Sequence, residues 1–221
     1  MLSWVWNSWF LISEKLIIVG LAFLSFYWFQ PPLAEVKEFA FGWIAEMYLR
    51  NLVLMTGVAG GLHLYFYTFT KQGQTLKYDP RPLMKNGKQF TLGGQIRDNM
   101  FWTLASGVTI WTGYEALMFW ALANGYAPTL TWAAHPVWFF ALFLLIPIWE
   151  SFYFYWIHRL LHVPFMYKYV HALHHRNINV GPWSGLSMHP VEHVIYLGTV
   201  LIHWLVAAHP VHILYHLQYY T

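Results

Sequence analysis

The charged residues of this chain are few and clustered, and the stretches between the clusters are long and apolar. Of 221 residues, 10% are charged and 58% are hydrophobic, where an ordinary soluble domain carries about 25% charged residues. Four apolar runs, at about 12–29, 52–69, 100–123 and 137–157, approach the ~20 residues that a helix needs to cross a bilayer. A fifth begins near Val194. Lipid leaves no water to satisfy stray backbone groups, so such runs are read as helices. The expected fold is all-α: a single multi-pass membrane domain over residues 1–221, with four to five spans. Pro31 and Pro32 stop the first span. Trp4, Trp6 and Trp9 suit an interfacial anchor. The start of the chain has no basic leader, so it is not expected to be a cleavable signal peptide.

Lys71, Lys77, Arg81, Lys85, Lys88 and Arg97 lie in the loop 70–99 with only two acids, and the loop 124–136 has no charge. The positive-inside bias therefore puts the first loop in the cytoplasm and the second on the far side. The fourth span then returns to the cytoplasmic face with Arg159, Lys168 and Arg176 behind it. The net charge of +3 does not imply nucleic acid, because the basic residues sit in short loops between apolar runs. Cysteine is absent, so a metal site here would rest on nitrogen and oxygen ligands.

Eleven of the thirteen histidines follow residue 157. Seven form three groups: His158 and His162 in HRLLH; His171, His174 and His175 in HALHH; His189 and His193 in HPVEH. Residues three or four apart share one helix face, so each of the first two groups should aim its imidazoles one way. The expected arrangement is a histidine-rich helical cap at the cytoplasmic face. Pro164 breaks the first helix, 177–185 is a loop, and His189 precedes Pro190 at a helix start. Seven imidazoles exceed one zinc site and suit two ions of Fe, Zn, Cu or Ni. The zincin motif HExxH is missing, since Arg159 stands where its Glu would be.

HRLLH, HALHH and the segment from Gly181 to His193, read together over about 150–193 beside apolar runs, resemble the fatty acid hydroxylase/sterol desaturase superfamily. The resemblance implies an integral membrane enzyme with two non-haem iron ions. It would use O2 and two electrons to hydroxylate or desaturate a C–H bond of a sterol or fatty-acyl lipid. It implies His158, His162, His171, His174, His175 and His189 as iron ligands, with His193 a further one. The family's third box, HxxHH, is not found among His209, His212 and His216. The chain therefore reads as a C-terminally truncated member that binds metal weakly and does not turn over alone. The resemblance also implies a lipid substrate and an electron donor such as a cytochrome b5-like or ferredoxin-like protein. The host membrane would be the endoplasmic reticulum in a eukaryote or the inner membrane in a bacterium.

Glu150 and Glu192 are candidates to hold ligand imidazoles from behind. Glu115 and Glu150 fall inside spans, where an ionisable group suggests function by default, whereas His63 in the second run suits a satisfied core position. His203, His209, His212 and His216 suit packing. Two other classes stay open: a bis-histidine haem electron carrier, and a metal-binding membrane protein without catalysis.

Overall fold

The computed structural model describes residues 9–73 and 79–221; Trp4, Trp6 and Lys77 lie outside them. The described residues are helical apart from loops and one isolated extended pairing, Thr129 with Ala208. Helix α1 is Trp9–Trp28. Helix α2 starts as Phe41–Met55 and continues to Thr68 through two π-helical stretches. Helix α3 starts as Gln95–Phe101, passes a π-helical stretch and continues as Val108–Ala123. Helix α4 is Pro136–Leu161. A short α5 runs from Pro164 through a π turn to Ala172–His175; α6 is Pro190–Leu197 and α7 is Pro210–Tyr220.

Among the described residues, helix α4 alone is long and apolar enough to cross a membrane. Val137, Phe140, Leu144, Ile148, Phe152 and Tyr155 leave an exposed stripe along it at helical spacing. The apolar stretch after Val194 is not one helix. It breaks into α6, a 3₁₀ turn at Gly198–Trp204 and α7. The cause is Pro210, which cannot continue a helix but suits a first helical position. His209 caps α7: its side chain accepts from Val211 N–H, and His212 Nδ1 accepts from His209 N–H.

The chain divides into two compact units. The first gathers the chain up to Met47, Tyr114–Tyr153 and Thr199–Thr221. Within it α7 packs on α1, where Gln218 donates to Ser25 Oγ at 2.9 Å. Pro147 sits inside α4 and has no N–H to offer the carbonyl of Phe143. Tyr215 from α7 donates its hydroxyl to that carbonyl at 3.1 Å. Sequence punctuation in one helix is thus answered by a side chain of another. Tyr215→Phe should leave the carbonyl unpaired and cost about 1–3 kcal/mol, read as a lower midpoint of thermal unfolding in detergent.

The second unit comprises Tyr48–Gly113 and Phe154–Gly198. Its loop from Leu83 to Gly94 folds back on itself, with Gln95 N–H donating to Met84 O at 2.9 Å. Gly94 is required there, since a Cβ would lie 2.6 Å from the carbonyl oxygen of Lys85. The first turns of α3 pin the loop that follows the second histidine group. Gln95 donates to Asn179 O at 2.5 Å and Asn177 Oδ1 at 3.3 Å, and Thr103 donates to Trp183 O at 3.0 Å. Buried Asp98 accepts from Leu92 N–H at 3.0 Å and from Arg176 at 2.5 Å.

Candidate metal centre

The second unit brings four imidazoles together. His158 and His162 lie one turn apart at the end of α4, and their Nε2 atoms are 3.1 Å apart. Pro164 then restarts the chain as α5, whose π turn Tyr167–His171 carries the first residue of the facing pair. Such turns are frequent at functional positions in helices. His171 and His175 put their Nε2 atoms 2.9 Å apart. One nitrogen from each of the four rings lies within 4.8 Å of all the others.

These separations fit a metal. Two nitrogens at ~2.1 Å from an ion and at a right angle to one another lie ~3.0 Å apart. Unprotonated Nε2 lone pairs at this range repel unless they share a proton or face a cation. His171 Nδ1–H donates to Glu192 Oε1 at 2.7 Å, which leaves its Nε2 as the lone-pair atom facing His175. This is the carboxylate–imidazole arrangement that orients metal-bound histidines. Glu192 Oε2 is buried with no hydrogen-bond partner. Burial, then the neighbouring His162, pushes His171 down to about 4. Burial likewise lowers His174 and His175 and raises Glu192 to about 7, against the opposing pull of His174. His171, His174 and His175 are thereby biased to the neutral form, which a metal can bind with little competition from protons.

The other three sequence candidates sit differently. His174 aligns its Nδ1 with Ser187 O at 3.3 Å, and its ring stacks beside His171 at 5.8 Å. His189 caps α6, its Nδ1 accepting from Val191 N–H at 3.2 Å. Fully buried His193 uses both ring nitrogens: Nε2–H donates to Leu186 O at 3.0 Å, and Nδ1 accepts from Ser106 at 2.9 Å. Gly107 makes room for it, since a Cβ there would come within 3.2 Å of Nε2. Sequence spacing could not reveal Ser106 as a partner, because it lies 87 residues away. Tyr167 was also missed. Its ring stacks on His162 at 5.6 Å and flanks His175 at the same distance; its place four residues before His171 was the available signal. Glu150 belongs to the first unit.

Glu192→Ala should weaken metal binding about 10–100-fold. Glu192→Gln keeps an acceptor for Nδ1–H and should lose less. Competition with a chelator measures both.

A family model described as fatty acid hydroxylase matches residues 140–221. A Delta(7)-sterol 5(6)-desaturase of Gibberella zeae is 55% identical over 38 residues, 17% of this chain and 12% of that protein. A putative methylsterol monooxygenase of Dictyostelium discoideum is 45% identical over 53 residues, 24% of this chain and 20% of its own. A putative Delta(7)-sterol-C5(6)-desaturase of Arabidopsis thaliana is 37% identical over 76 residues, 29% of this chain and 26% of its own. The chain thus spans at most about a quarter of the length of these curated relatives. No solved structure matches. The part of this chain that is similar to the fatty acid hydroxylase family model and to these sterol-modifying proteins, within residues 140–221, is also the part that holds all four converging imidazoles.

Proposed function

We propose that this chain carries the non-haem iron centre of a membrane oxidoreductase that hydroxylates or desaturates a sterol or fatty-acyl C–H bond with O2. The convergence of His158, His162, His171 and His175 carries the reading. These four would hold one ion. A second would draw on His174 and His189, while the two hydrogen bonds of His193 favour a positioning role for that ring. Iron held there would activate O2, the oxidant that an unactivated C–H bond demands. Hydroxylation balances as RH + O2 + 2 e⁻ + 2 H⁺ giving ROH + H2O, so the reading needs an electron donor such as a cytochrome b5-like or ferredoxin-like protein.

The chain's own groups prepare the site. Glu192 fixes the tautomer and direction of His171. Tyr167 walls His162 and His175. The exposed apolar stripe of α4 suits lipid contact and a substrate that arrives through the bilayer. Loop charges favour a cytoplasmic centre, in the endoplasmic reticulum or in a bacterial inner membrane. The haem reading fits less well: five of the six ring pairs in this group have centroids 4.4–5.0 Å apart and the sixth, His158 with His175, 6.1 Å, so the four rings crowd one another with no slot for a macrocycle.

Iron analysis of the protein purified from membranes tests the centre, and lipid profiling of cells that express this chain, by itself and as part of a longer protein, tests the activity. Bound iron with a new oxygen-dependent hydroxyl or double bond is expected. A Soret band, or no iron and an unchanged lipid profile, would overturn the reading.

A further inference from the structure

The first unit contains a second group of ionisable side chains, in which one has no adequate partner. Glu150, inside α4, is 2% exposed, and neither carboxyl oxygen has a hydrogen-bond partner. The nearest polar group is His216 Nε2, 3.6 Å from Oε1. The other nitrogen of His216, Nδ1, lies 3.0 Å from His203 Nε2. His203 Nδ1 reaches Val206 O at 3.4 Å. His203 and His216 are almost wholly buried.

The donor directions follow from the far end. A carbonyl oxygen can only accept, so His203 Nδ1 carries hydrogen and its Nε2 is bare. His216 Nδ1 must then carry hydrogen to donate to that nitrogen, which leaves its own Nε2 bare. The neighbours of a bare Nε2 must donate. Thr199 Oγ does so from 3.2 Å, and the remaining neighbour is the Glu150 carboxyl, which donates only when protonated. Trp149 donates to the Thr199 carbonyl at 3.2 Å and holds that segment against α4. Thr199 thereby keeps the imidazole in register one small displacement from the acid.

We propose that Glu150, His216 and His203 form a proton relay within the apolar helices of this unit. The O–H bond of Glu150 breaks as an N–H bond forms at His216 Nε2. The Nδ1 proton of His216 passes to His203 Nε2, and the Nδ1 proton of His203 leaves to water at the partly exposed Val206–Ala207 turn. Both rings remain neutral, and Glu150 ends as a carboxylate until a proton returns. Ionisable groups inside spans typically mark such relays. The other groups that face Glu150 are Lys15 on α1, whose ammonium rests on Tyr219 at 2.5 Å, and Tyr215 on α7.

Infrared and histidine ¹⁵N NMR spectra of the full chain in lipid bilayers test this independently of lipid oxidation. An un-ionised carboxyl C=O band should be present at pH 7, absent in Glu150→Gln and displaced in His216→Gln. Iron content at the four-histidine centre should be unchanged in both variants, which reports that they fold. As rising pH ionises Glu150, both rings should switch together from Nδ1–H to Nε2–H. A spectrum that Glu150→Gln leaves unaltered, or tautomers that stay fixed while the carboxyl ionises, would overturn the relay.

Discussion

His171→Ala is expected to leave the protein without bound iron and without detectable lipid oxidation. His171 is the most buried of the four converging rings, and Glu192 fixes its direction. Losing an outer partner of a metal ligand costs about 10–100-fold in affinity, so losing the ligand costs more. The variant also strands Glu192, whose Oε2 already has no hydrogen-bond partner. Iron analysis and lipid profiling measure the two losses. Acid should achieve the first without mutation. His171 takes up a proton only near pH 4 in the folded protein, so iron should stay bound at pH 6 and leave as the pH falls towards 4. In the metal-free protein the sign is the same for His171. Its unfolded form binds a proton below the ordinary imidazole value of 6.5 and its folded form only near 4, so its contribution weakens as pH falls through that window.

The second large effect is on stability. Asp98→Ala removes the carboxylate that fully buries its charge against Arg176 at 2.5 Å. Breaking a buried pair from one side costs about 3–5 kcal/mol; Arg176 is partly exposed and keeps the Gln89 carbonyl and Thr91 hydroxyl, so the loss should fall at or below the lower end of that range. Leu92 N–H loses its acceptor as well. Because Arg176 directly follows His175, the damage should reach the metal centre too: a lower thermal midpoint with reduced iron content. Asp98→Asn keeps an acceptor for both donors and should recover part of each.

The histidine centre was legible because its information is local. HRLLH and HALHH each place imidazoles one helical turn apart, and Pro164 between them announces the reversal of direction. Helix α4 was legible from hydropathy alone. The unreadable parts depend on distant chain segments. Nothing near Pro147 indicates that Tyr215 will take the carbonyl it releases, 72 residues on. Nothing near His193 indicates Ser106. The stretch after Val194 has the hydropathy of a span, yet Pro210 divides it and its histidines serve caps and buried pairs. Hydropathy counts apolar side chains and cannot see where a polar one finds its partner.

The four rings differ in their access to solvent. His171 is buried and His158 half-buried, but His162 and His175 are exposed. One side of the centre is thus anchored in the fold while the other opens outward. An ion can be loaded after the helices have assembled, and a chelator should strip it without melting the protein.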